Sequence, residues 1–262
     1  MPIDSPLAHP RLSTDEMRDL DYQVMAHAFN THHYLGRLCD EKIYQADLAS
    51  RLEDAGFRIR KEFPARISFR DFFADYSMDL IVEDQIIYEL KTCSTFTSAH
   101  ASQLLNYLFL CDFNRGKLIN FRPKSVESKF INSTLTTEDR RNFEIHSNNW
   151  TGEESFMNLI IELLTDWGTS LEISLYRNAV THLLGGEAVI RQSIPLFRND
   201  IPLGLQTFSL SSPDTAFTIT SVTKNLAGHT PNLLRLLKIS KLKRFLWVNI
   251  MLGRVEFRMI SI

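Results

Sequence analysis

Three residues, Asp79, Glu89 and Lys91, have the types and spacing that metal-assisted phosphodiester hydrolysis needs. They lie in Ser77-Met78-Asp79-Leu80-Ile81-Val82, then Glu83-Asp84-Gln85, then Ile86-Ile87-Tyr88-Glu89-Leu90-Lys91. This reads as a β-hairpin. A two-residue loop would set Asp79 opposite Leu90 and mix polar with apolar. A three-residue loop, Glu83 to Gln85, pairs Val82 with Ile86, Leu80 with Tyr88 and Met78 with Leu90 on one apolar face. The same register sets Asp79 across from Glu89 on the other face, with Lys91 two residues further along it. Carboxylates so placed have Cβ atoms about 5 Å apart and repel one another. A divalent cation between them offsets the repulsion, and oxygen ligands suit Mg²⁺ or Mn²⁺. Lys91 beside such an ion is placed to hold or deprotonate a water for attack on phosphorus. A Glu-x-Lys pair is also common on ordinary solvated strands. Here Ile81 and Ile87 share the face, which is therefore expected to be half buried, and buried acids need partners or metals.

The elements around the hairpin follow from periodicity. A helical pattern runs from about Thr14, breaks at Leu35-Gly36 and resumes from Asp40 to Asp54, with Gly56 after its end. On the second helix Glu41, Tyr44 and Leu48 form one stripe at i, i+3 and i+7. A carboxylate on such a stripe either pairs with an arginine or points at a metal. Strands are expected over Phe57–Ile67, Ser77–Val82 and Ile86–Thr92, a helix over Ala99–Cys111 and a strand over Lys117–Phe121. On the later helix Gln103, Asn106, Tyr107 and Leu110 form a stripe. An inward Gln103 either satisfies backbone groups or orients Lys91 or a phosphate. Residues 1–14 hold three prolines and read as an arm; residues 122–154 are polar and read as a linker with an extra element.

The second half repeats the first at a nearly steady offset. Gly168, Tyr176 and Leu184 fall on Gly36, Tyr44 and Leu52, each 132 positions on, and Pro195 on Pro64. At an offset of 129, Asn232-Leu233-Leu234 falls on Gln103-Leu104-Leu105, Asn249 on Asn120, and Val255-Glu256 on Val126-Glu127. The counterparts of Asp79, Glu89 and Lys91 fall at about Ser209, Thr218 and Thr220, so the repeat lacks every titratable group of the set. The division expected is a domain over 1–148 and a degenerate repeat over 149–262.

Leu35-Gly36-Arg37-Leu38-Cys39-Asp40-Glu41-Lys42-Ile43-Tyr44 resembles the signature of the GxxExxY proteins, a branch of the PD-(D/E)XK nuclease superfamily. The resemblance continues through Asp79-Leu80-Ile81-Val82-Glu83, Ile87-Tyr88-Glu89-Leu90-Lys91, His100, Gln103 to Leu108 and Leu118-Ile119-Asn120-Phe121, covering about residues 22–131. It implies an α/β fold with a restriction-endonuclease-like core, a mixed sheet flanked by helices. It implies Asp79 and Glu89 as metal ligands, Lys91 as the water-activating residue, and Glu41 and Gln103 as supporting groups at the metal site. His32, His100 and Tyr44 sit where that family has the same residues. Leu38 stands where the family has a second glycine, and Ser77-Met78 where it has Arg-Ala, departures that bear on substrate affinity more than on metal binding.

Composition sets the outer bounds. The 262 residues carry a net charge of -2, which excludes a partner gripped by bulk positive charge but not one gripped by a local patch. Leu233 to Arg244 reads as a basic amphipathic helix, with Arg235, Lys238, Lys241, Lys243 and Arg244, either a solvated face or a phosphate contact. Three cysteines without a CxxC, and a start lacking basic and apolar regions, point to a reducing cytoplasmic setting. The longest apolar run is too short to span a bilayer. His32-His33 with Cys39 matches no zinc-ligand spacing. Two readings stay open: a Mg²⁺- or Mn²⁺-dependent nuclease acting on DNA, or a nuclease fold kept as an inactive nucleic-acid-binding or protein-interaction module.

Overall fold

The computed structural model describes residues 12–151, 153–224 and 226–262; most of the proline-bearing arm lies outside them. The chain forms two compact units. One takes in residues 12–67 together with Ala74–Thr136, the other Ser68–Phe73 together with Thr137–Ile262. The architecture is α/β, two mixed sheets with their helices, consistent with a restriction-endonuclease-like core.

The first unit opens with α1 (Thr14–Leu35), started by a capping box in which Ser13 and Glu16 each satisfy the other's backbone N–H. Met17, Leu20, Val24 and Ala28 bury one stripe of it. The second helix, α2 (Glu41–Asp54), buries Tyr44, Leu48 and Leu52. Both stripes join Leu80, Val82, Tyr88 and Leu90 in one core cluster, the apolar face expected from the hairpin. The sheet runs β1 (Ile59–Phe69), β2 (Phe72–Val82), β3 (Ile86–Lys91), β4 (Arg115–Asn120), β5 (Glu127–Asn132), in that order. The crossover from β3 to its parallel neighbour β4 is α3 (Ser98–Cys111). It approaches so closely that a Cβ on Gly116 would lie 2.8 Å from Leu104 Cδ1.

The second unit holds α4 (Thr137–Arg141), β6 (Glu144–Asn148), α5 (Glu154–Trp167), α6 (Ile173–Leu183), α7 (Glu187–Ile190), β7 (Arg191–Arg198), β8 (Ile201–Ser212), β9 (Thr215–Thr220), α8 (Leu226–Ile239), β10 (Arg244–Met251) and β11 (Arg254–Ser261). Its sheet order is β6-β11-β10-β9-β8-β7. Read from β8 to β11 it has the pairing senses of β2 to β5: β8 with β9 antiparallel, β9 with β10 parallel, β10 with β11 antiparallel.

Side-chain detail recurs as well. Tyr44 Oη donates to Gly36 O at 2.8 Å and accepts from Cys39 N–H; Tyr176 Oη donates to Gly168 O at 2.6 Å and accepts from Leu171 N–H. The two glycines have φ of 71° and 76°, values other residues adopt only under strain. Asn120 clamps both backbone groups of Cys93, and Asn249 both of Val222. Asn120 pairs with Glu127 and Asn249 with Glu256 across their ladders.

Three expectations are corrected. The stretch 122–154 is not a linker with one extra element. It supplies β5 to the first sheet, then α4 and β6. The residues of β5 are mostly exposed, so no apolar alternation marked it. The basic helix ends at Ile239: Ser240 N–H closes back onto Leu236 O, and Ser240 Oγ takes Leu242 N–H. Lys241, Lys243 and Arg244 lie beyond it, and Lys243 and Arg244 are engaged by Asp214 and Glu153. Finally, the pair Ser209–Phe217 stands where Leu80–Tyr88 stands in the first sheet, so the position matching Asp79 is Phe208, one residue from the one expected.

Candidate active site

The hairpin forms in the expected register, with Val82 opposite Ile86, Ile81 opposite Ile87 and Leu80 opposite Tyr88. Glu83 and Asp84 both take positive φ, and Asp84 is held there by Arg58 at 3.2 Å and Arg60 at 2.5 Å. One step beyond Leu80 the pattern changes. Asp79 Oδ2 itself accepts the Leu90 N–H at 2.7 Å, so a carboxylate takes the place of a ladder carbonyl. Its face, with Ile81 and Ile87 fully buried, is drier than expected.

Glu89 is 2% exposed. Its Oε1 accepts from Lys91 Nζ at 2.7 Å, while its buried Oε2 has no hydrogen-bond partner among the described residues. Lys91 Nζ also lies 3.9 Å from Glu41 Oε1, at the first turn of α2. Burial pushes Asp79 up to about 6 against the help of the Leu90 N–H. Burial and then the charge of Asp79 push Glu89 up to about 7. For Lys91 burial works downward, but Glu89, Glu41 and Asp79 together hold it above the usual lysine range.

The site therefore brings together Asp79, Glu89, Lys91 and Glu41. Gln103 is elsewhere engaged: its Nε2 donates to Tyr107 Oη at 2.9 Å, and Tyr107 packs edge-on against Tyr76. Asn106 is buried in the same helix. Tyr44 stacks on Phe121 with centroids 4.6 Å apart while holding the Gly36 loop. His32 bonds the Pro123 carbonyl, and His100 closes the capping box of α3 with Thr97.

Two residues of the site were not found from sequence. Gln45 Nε2 donates to Asp79 O at 2.8 Å and to Glu62 Oε1 at 2.7 Å, and Glu62 also accepts from Lys42 and Ser77. Lys42 holds the Glu62 carboxyl below its ordinary range. Gln45 lies one turn beyond Glu41, a spacing that could have flagged it; Glu62 sits at a positive-φ kink in β1 that alternation does not reveal.

Among the described residues no three His, Cys, Asp or Glu side chains converge as a metal-holding group. The donors present still fit a hard cation: one buried and one half-buried carboxylate, both with raised pKa, and one orphaned oxygen. Mg²⁺ is commonly held by one or two carboxylates, with waters and substrate phosphate completing its shell.

Residues 18–132 match the model of the PD-(D/E)XK nuclease superfamily. The match covers less than half of the chain and stays within the first unit and the turn of its first hairpin. Such nucleases generally use divalent metals, so the match supports a nuclease-type function and nucleic acid as partner. Among solved structures, that of SSO0001 is similar at 18% identity with a TM-score of 0.29, over 43% of this chain and 66% of that one. No curated protein matches the chain in sequence. No helix among the described residues is long and apolar enough to cross a membrane.

The raised acids make stability depend on pH in the direction opposite to most carboxylates. Their folded pKa values exceed the ordinary 3.8 and 4.5, so between about pH 4 and 7 the folded chain holds more protons than the unfolded one. Stability from this pair is present at pH 4 and is lost as pH rises through 7. With chelator present, urea unfolding should show the pair's contribution falling by about 4 kcal/mol from pH 5 to 8. Asp79→Asn should remove Asp79's own share of that fall and the part of Glu89's that its charge imposes, leaving the part due to the burial of Glu89, and millimolar Mg²⁺ should restore stability at pH 8 but not at pH 5. A profile unaffected by Asp79→Asn would mean the pair is not held ionised at a cost.

Proposed function

We propose that the first unit is a metal-dependent nuclease that hydrolyses DNA phosphodiesters in the cytoplasm, and that the second unit is a degenerate copy of it. The observation that carries the catalytic reading is the unpartnered, buried Glu89 Oε2 beside Asp79, an arrangement that a cation completes. Asp79 and Glu89 are its ligands, with Glu41 reaching the same lysine from α2. A divalent ion held there supplies Lewis acidity at a phosphoryl oxygen and makes a bound water more acidic.

The chain's own residues do the positioning. Lys91 is charged at neutral pH, since the surrounding acids raise its pKa, so its role is to hold the attacking water and the charge gathering on phosphate rather than to remove a proton. Gln45 fixes the Asp79 backbone and ties it to Glu62. The Glu83–Asp84 turn, locked by Arg58 and Arg60, holds the register that keeps both acids on one face.

A nuclease fold kept for binding alone is favoured by one observation, the lack of a three-ligand group among the described residues. Incubation of plasmid and single-stranded DNA with Mg²⁺ or Mn²⁺, against a chelator control, separates the two. Cleavage dependent on the ion supports the enzyme; binding without cleavage under every condition overturns it.

A further inference from the structure

The second unit contains a cavity of about 470 Å³, a size common for small-ligand sites. Phe208 and Thr218 form part of its wall, the positions that ladder register equates with Asp79 and Glu89. The cavity thus occupies, within its own unit, the place where the first unit keeps its carboxylates.

The charge there is reversed. The ionisable groups lining it are Arg177, Arg191 and Glu187. Arg191 pairs with Glu187 at 3.4 Å. Arg177 stands 132 positions after Gln45 but is tied to the next strand: its Nε donates to Ile219 O on β9 at 2.7 Å, whereas Gln45 donates to Asp79 O on β2. That bond uses one edge of the guanidinium and leaves the terminal nitrogens, a planar fork suited to phosphate. The hydroxyls of Thr207 and Thr218 line the same space, and Phe208 and Phe245 form an edge-to-face pair in its apolar wall.

We propose that this cavity binds a nucleoside phosphate, with the phosphate on Arg177 and Arg191 and the base along the Phe208–Phe245 wall. Cation fork, hydroxyls and aromatic wall lie within one space of the right size, and the two acids that would repel phosphate have been replaced. The ligand is either a free nucleotide or the end of a single strand. The inference does not rest on catalysis in the first unit, because a chain with a dead first site retains the cavity.

Calorimetry on the full chain in chelator tests it, with a 5′-mononucleotide in one arm and a short single-stranded oligonucleotide in the other. Saturable binding is expected, weakened at least tenfold by Arg177→Ala with Arg191→Ala and unchanged by Asp79→Asn. Both arginines are exposed, so that variant should fold. Thr207→Glu, which leaves both anchors in place, should abolish binding by repulsion. Mononucleotide binding assigns a free nucleotide; oligonucleotide binding alone assigns a strand end. No binding of either probe, or binding insensitive to both variants, overturns the proposal.

Discussion

Lys91→Ala is expected to lower ion-dependent DNA cleavage by about 10²–10³-fold or more while leaving the fold intact, the scale seen when one charge-stabilising donor is removed. Its side chain is 13% exposed, and its Nζ is held between Glu89 at 2.7 Å and Glu41 at 3.9 Å. The same substitution removes a positive charge that competes with a metal for Glu89. Divalent-ion affinity should therefore hold or rise while the rate collapses. Asp79→Asn should do the reverse, losing the ion and with it the rate. Plasmid cleavage and titration calorimetry with Mn²⁺, run on both variants, read the split. An unchanged rate in Lys91→Ala would refute its role at the reacting phosphate.

Asp21→Ala should cost about 3–5 kcal/mol, the range for breaking a buried ion pair from one side. Asp21 Oδ2 accepts from Lys117 Nζ at 2.6 Å and Asp21 Oδ1 from Tyr88 Oη at 3.2 Å, with Asp21 9% and Lys117 6% exposed. Removing the carboxylate strands an ammonium and a phenol in the core of the first unit. Among the described residues Lys117 then keeps the face of Phe130, 4.3 Å from its Nζ, as a partial substitute for that carboxylate. Against the 5–15 kcal/mol that usually separates folded from unfolded states, such a loss is large. Replacing both partners, Asp21→Leu with Lys117→Met, should recover most of it, because the penalty lies in the unpaired charge. Urea unfolding measures all three chains; a single-variant loss below about 1 kcal/mol would show that water reaches the pair.

What the sequence revealed was what repeats with a short period or depends on side-chain type. The hairpin register was legible because only one loop length keeps Leu80, Val82, Tyr88 and Leu90 on one face; the structure pairs Leu80 with Tyr88 and Val82 with Ile86 and gathers all four in one core cluster. Helices α1, α2 and α3 were legible from their stripes. Strand β5 was not, since an exposed edge strand with Glu127, Ser128 and Lys129 has no apolar face to announce it. Asp21 and Lys117 were missed because ninety-six positions separate them, and nothing local shows that each satisfies the other. At the site, the residue types of Asp79, Glu89 and Lys91 were readable, but not that Asp79 would accept a ladder N–H. Nor was it readable that Gln103 would turn to Tyr107. Both depend on how far strands and helices diverge, which spacing does not encode.

The paired asparagine clamps and glycine-bound tyrosines give this molecule an internal control. Any contact present in both halves, such as Asn120 on Cys93 and Asn249 on Val222, is what the architecture demands irrespective of reaction. A substitution at either asparagine should thus be felt as lost stability, each in its own half. Whatever occurs once only, the acids on one side and the arginines on the other, was free to diverge, and that is where any difference in task between the halves must be written.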